Sequence, residues 1–167
     1  MIDVEELEKR FDKKLEEFRI ELPKKYTEGK IVSQNCAMLT MRGFLEIIGK
    51  EDENYINMAA PLAALTDTCG AVNAGLMITG LITGKFGEKQ VHQLKASEEG
   101  MRFLKIFEQY FGSCHCQVLT GGYNLLTSKG MQNYLNDKIW EKKCYKYVVV
   151  AIEIIKKLYK RKIARLI

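Results

Sequence analysis

Sixteen consecutive residues, Cys69-Gly-Ala-Val-Asn-Ala-Gly-Leu-Met-Ile-Thr-Gly-Leu-Ile-Thr-Gly84, constrain this chain more than any other feature. Nearly every side chain in the run is apolar or small and none is charged. No face of such a segment suits water, so it is predicted to be a buried central helix that other helices surround. Gly70, Gly75 and Gly80 weaken the helix intrinsically, and burial has to offset that. Ala71, Gly75 and Thr79 fall on one face at four-residue spacing, where either a packed neighbour or a bulky cofactor approaches closely.

The surrounding helices are legible from apolar periodicity. Residues 3–21 place Val4, Leu7, Phe11, Leu15 and Phe18 on one stripe with charges between them; Pro23 is expected to end this helix and residues 24–30 to form a loop. Ser33 is a candidate N-cap for a second helix ending at Gly49, with Ala37, Met41, Phe44 and Ile48 on its stripe and Cys36 in its first turn. A third helix starts near Glu51 and breaks at Pro61, and Thr66-Asp67-Thr68 reads as a capping cluster before Cys69. Gly84 or Gly87 closes the central helix. Residues 98–111 carry Met101, Leu104, Phe107 and Phe111 in register, with Gly112 as the stop. The last pattern puts Trp140, Cys144, Tyr147, Ala151, Ile155 and Leu158 on one face and Lys142, Lys143, Lys146 and Lys156 away from it, overriding the strand preference of Val148 to Val150. The prediction is an all-α, single-domain bundle of about six or seven helices around a glycine-rich buried central helix. Within it, residues 1–30 form an N-terminal amphipathic helix and loop, and residues 31–167 the main helical domain.

A chain of 167 residues is long enough to bury one core without disulfides or metal. Its charged, amphipathic first residues lack the pattern of a secretory signal, and its apolar stretches fall short of the roughly 18–20 residues of a membrane span, so a soluble, cytoplasmic protein is expected. Net charge is +5 and sits at the C-terminal end: residues 131–167 carry 10 basic and 3 acidic groups. Without a nucleic-acid-binding motif, the six cations between Lys156 and Arg165 are read as a solvated helix end, not as a nucleic-acid site.

Five cysteines in a reducing compartment point to metal or redox roles more than to disulfides. Cys69, opening the central helix, meets free backbone N–H groups and the positive end of the helix dipole, which should lower its thiol pKa. Gly70 beside it leaves room for a cluster or a partner sulfur. No C-x-x-C pair is present, which argues against a zinc ribbon, a thioredoxin-type motif or a ferredoxin loop, and Cys114-His115-Cys116 has the wrong spacing for covalent haem. His115 is a candidate ligand or proton carrier, with a loop histidine of no role as the plainer reading, plainer still for His92. Asp67 is explained by helix capping. Phosphate-binding glycine loops, paired catalytic carboxylates and a Ser-His-Asp signature are not recognisable in the sequence.

Over roughly residues 31–155 the chain resembles the C_GCAxxG_C_C family of redox-active proteins, related to a domain of split-Soret cytochromes. The resemblance is carried by Asn35-Cys36-Ala37, by Thr68-Cys69-Gly70-Ala71-Val72 with Gly75, by Gly80-Leu81 and Gly84, by Phe111-Gly112-Ser113 followed by Cys116, and by Cys144. Ala74 replaces a usual glycine, residues 59–65 lack the usual glycine run, and Cys114 is additional. The resemblance implies that Cys36, Cys69, Cys116 and Cys144 ligate a metal centre, with a [2Fe–2S] cluster as the expected cofactor and Gly70, Ala71 and Gly75 beside it. Cys114 is then a substitute for Cys116, a resolving thiol, or simply exposed.

Three functions follow. The first is electron transfer or redox sensing through the cysteine-ligated site, with an unidentified redox partner protein. The second is thiol–disulfide exchange, with Cys69 as attacking thiolate and Cys36 or Cys116 as resolver. The third is a metal-free helical binding module, dimeric through its basic C-terminal helix or small-residue face.

Overall fold

The computed structural model describes residues 1–27, 34–84 and 93–167. They form eight α-helices: α1 (Val4–Thr27), α2 (Cys36–Ile48), α3 (Glu53–Ala59), α4 (Gly70–Thr83), α5 (Gln93–Phe111), α6 (Cys116–Thr120), α7 (Ser128–Asn136) and α8 (Tyr145–Leu166). A 3-10 turn (Ala60–Leu62) follows α3, and a π-turn (Trp140–Cys144) leads into α8. The fold is all-α. It exceeds the expected six or seven helices because α6 and α7, at five and nine residues, are too short to show a periodic stripe.

Helix α4 is the centre, packed against α2, α5 and α8. Ala71, Val72, Ala74, Ile78 and Ile82 are fully buried, and the hydroxyls of Thr79 and Thr83 are satisfied within the helix, by Gly75 O at 2.9 Å and Thr79 O at 2.8 Å. Buried hydroxyls bonded four residues back leave no polar group stranded. Gly75 shows why this face is small: a Cβ there would lie 2.2 Å from Phe103 Cζ, so the ring of α5 occupies the space a side chain would need. Helix α1 lies along α8 and buries Leu7, Phe11, Leu15, Phe18 and Leu22 in the same core.

Several local expectations are corrected. Pro23 does not end α1, which runs on to Thr27. The carbonyl that Pro23 cannot serve belongs to exposed Arg19, while Leu22 is buried and its carbonyl accepts the Trp140 indole N–H at 3.4 Å, so tertiary contacts carry the last turn. The cap of α2 is Asn35, whose Oδ1 accepts from Ala37 N and Met38 N at 3.1 Å each; Ser33 lies outside the described residues, as do Gly87 and His92. Gly49, at φ 65°, closes α2 in the left-handed conformation that glycine favours. Among the described residues α5 spans Gln93–Phe111, five residues more at its N-terminal end than the expected 98–111.

The basic end of α8 is not simply solvated. Lys156 reaches Asp12 at 2.6 Å and Glu8 at 3.4 Å, Lys160 reaches Glu8 at 2.8 Å, and Glu153 pairs with Arg19. Lys156 therefore points at α1, which supplies the acids the sequence reading had left elsewhere. No helix among the described residues is long and apolar enough to cross a membrane.

Candidate metal centre

Cys36, Cys69, Cys116 and Cys144 come from four separate segments, each at the start or end of a helical element. Cys36 is the first residue of α2, behind the Asn35 cap, and Cys69 is the N-cap of α4. Cys116 opens α6, and Cys144 closes the π-turn. The segment before α4 is stitched to the one before α6: Cys69 N–H donates to Cys114 O at 2.9 Å, Cys116 N–H donates to Asp67 O at 2.7 Å, and Thr68 pairs antiparallel with His115. Two main-chain bonds thus hold Cys116 beside Cys69 although 47 residues separate them.

All four line one cavity of about 110 Å³, lined also by Asn35, Ala63, Leu119, Tyr134, Trp140 and Tyr147 among others. That space exceeds many times the roughly 10–15 Å³ one water requires by the same measure. Gly70 makes the arrangement possible, since a Cβ on it would stand 2.6 Å from Cys36 Sγ and 2.7 Å from Ala63 Cβ. Ala71 N–H points into the Cys36–Cys69 pair, whereas Gly75 faces Phe103 and is not among the cavity walls. Cys114 is not among them either; it is buried, not exposed as the plainest reading held, with its Sγ 3.9 Å from Leu104 O.

No three His, Cys, Asp or Glu side chains among the described residues converge closely enough to hold a single metal ion. Cysteine thiolates are nonetheless the donor type that an iron–sulfur cluster takes.

Electrostatically the thiols divide. The bond from Cys69 holds the Cys36 thiol below its ordinary value, helped by Ala71 and Ala37 N–H and opposed by burial. Cys69 is pushed well up by that same bond, then by burial and the charge on Cys36. The lowered thiol expected at Cys69 is thus found at Cys36, because Cys69 is the donor of the pair. Burial, then Cys36 and Asp67, raises Cys116 to about 11. Burial, then Cys36, raises Cys144 to about 12, against the bond from Tyr134.

Asp67, read as a helix cap, instead places its Oδ2 at hydrogen-bond distance, 2.7 Å, from His115 Nδ1, on the surface beside Cys116. Thr66 likewise bonds Leu62 O and Thr68 O instead of capping α4. Two contributors escaped the sequence reading. Asn73 Nδ2 donates to Leu62 O at 2.9 Å and to Thr66 Oγ1 at 2.8 Å, fixing the loop that carries Ala63 and Cys69; a lone amide in a charge-free helix was the available signal. Tyr134 donates its hydroxyl to Cys144 Sγ at 3.3 Å; Thr127 followed by Met131, Tyr134 and Leu135 at helical spacing was the signal there.

Residues 34–158 match the family model described as "Putative redox-active protein (C_GCAxxG_C_C)". Searches of curated proteins and of solved structures found no match.

Proposed function

Because the chain belongs to the C_GCAxxG_C_C family, we propose that it is a redox protein whose Cys36, Cys69, Cys116 and Cys144 ligate a [2Fe–2S] cluster for electron transfer or redox sensing. One observation carries this reading. Four cysteines spread from residue 36 to residue 144 line a single cavity while the fifth does not. A buried small hydrophobe needs no such convergence.

In this reading Cys36 and Cys69 are adjacent ligands, and Cys116 and Cys144 complete the set from the same cavity. Such a cluster, when bound, takes up and releases one electron. The protein's part is to supply the thiolates, to direct Ala71 N–H at Cys36 and Cys69, and to exclude water with Leu119, Trp140 and Tyr147. Hydrogen bonds and burial of this kind set a cluster's potential.

A second reading rests on the Cys36–Cys69 bond. On closing to a disulfide, this pair of thiols would give up two electrons and two protons to a partner's disulfide, which is reduced to a dithiol. Cys36, held low by its neighbour, would be the attacking thiolate.

The deciding experiment is the absorption spectrum, with iron and acid-labile sulfide assays, on protein purified without oxygen. Charge-transfer bands with two irons and two sulfides per chain, lost in Cys69→Ser, are expected. A protein that stays colourless and iron-free after cluster reconstitution would sink this reading; loss of two free thiols on mild oxidation would then favour the dithiol.

A further inference from the structure

We propose that Tyr134 tunes the redox potential of the cysteine site, raising it through the hydrogen bond its buried hydroxyl gives to Cys144. The inference rests on the cluster reading and deepens it. Tyr134 and Cys144 are both buried, at 6% and 7% exposure, and Tyr134 Oη lies 3.3 Å from Cys144 Sγ. Both residues line the cavity.

The contact is built by two independent devices. Helix α7 carries Tyr134 and is fixed at its start by Thr127, whose Oγ1 accepts from Gly130 N at 3.0 Å. The ring is set edge-on to Tyr123 with centroids 6.4 Å apart. Cys144 arrives from the other side, at the end of the π-turn. Tyr147, the other tyrosine of the cavity, aims its hydroxyl at a backbone carbonyl, Leu119 O at 2.7 Å. Tyr134 is thus turned to a sulfur where its neighbour takes the ordinary main-chain partner.

The chemistry gives the direction. A ligated cysteine sulfur is negative, and it becomes more so when the centre it serves gains an electron. An O–H donor therefore stabilises the reduced state more than the oxidised one, and the potential rises. Tyr134 acts through Cys144 and is a positioning residue; it need not touch the metal.

The test uses the full chain with its cluster reconstituted. Tyr134→Phe removes only the hydroxyl and should weaken reduction about tenfold in the equilibrium constant, the scale of one hydrogen bond to a charged sulfur. The Fe–S(Cys) vibrations of the wild type should shift in D2O, and by less in Tyr134→Phe. A folded, loaded Tyr134→Phe protein with unchanged potential and unchanged isotope shift overturns the proposal and leaves the cluster reading standing. Replacing tyrosine throughout with 3-fluorotyrosine, a stronger donor, supplies the complementary measurement if the phenylalanine variant does not fold: the wild-type potential should rise, and no change would overturn the proposal. A protein that never binds iron overturns both at once.

Discussion

The two ends of α8 meet different surroundings. From Glu153 to Ile163 it lies along α1, with Ile155, Tyr159 and Ile163 buried and Lys156 and Lys160 paired to Asp12 and Glu8. Its first turn, with Tyr147, follows the π-turn Trp140–Cys144 in the cavity wall, beside short helices and a loop threaded with specific hydrogen bonds. The first region is redundant: many apolar contacts and several ion pairs share the work, and periodicity alone specifies it. The second is conditional, because each cysteine's place depends on a cap, a glycine or a main-chain bond supplied by another segment.

The sharpest way to break this contrast is to damage each region and read the other. Phe103→Ala empties a fully buried ring site against Gly75 and should lower unfolding free energy by about 3–5 kcal/mol, measured by denaturant titration; the iron content of the surviving folded protein should be unchanged. Loss of iron in the fold that remains would show that the two regions are not separable. Gly70→Ala attacks the other side. Its new Cβ must displace Cys36 Sγ or Ala63, so a cost of about 1–3 kcal/mol should come with loss of cluster binding, and retention of full iron would refute the close approach.

The smallest effect belongs to the surface ion pairs. The Glu8 carboxyl is held below its ordinary 4.5 by the Lys160 bond and then the Lys156 bond. A depressed carboxylate contributes stability that is present above pH 4.5 and is lost as pH falls through the folded value. Glu8→Gln should therefore lower the denaturation midpoint slightly near neutral pH and leave it unmoved near pH 3, flattening the decline between the two. An unaltered acid profile would mean the pairs contribute nothing measurable, as exposed pairs often do.

The legibility of the sequence follows the same division. Helices α1, α2, α4 and α8 repeat apolar residues long enough for a period to be seen, and the structure buries most of each stripe; on α5 the expected face is displaced, with Met101 67% exposed and Phe103 buried beside Phe107. Helix α7 and the five residues of α6 offer too few turns, so the walls carrying Cys116 and Tyr134 stayed hidden. Cys69 was correctly placed at a helix start, yet its electrostatics depend on Cys36, 33 residues away, and no local pattern reports that neighbour. Asp67 and His115 illustrate the same limit, since a side chain that looks like a cap from its own segment is recruited by another.

The π-turn has a consequence for how this sequence can diverge. A turn of five residues holds one more than α-helical geometry asks for, and closing it by deletion would rotate Trp140 by roughly 100° relative to the helix that follows, one residue's share of a 3.6-residue turn. Glu141 and exposed Lys142 then act as spacers whose identity is free but whose number is not. Lineages of this fold can rewrite Glu141 and Lys142 more readily than Lys143, whose Nζ donates to Thr120 O at 3.5 Å, yet a single-codon deletion there is the edit selection should remove first.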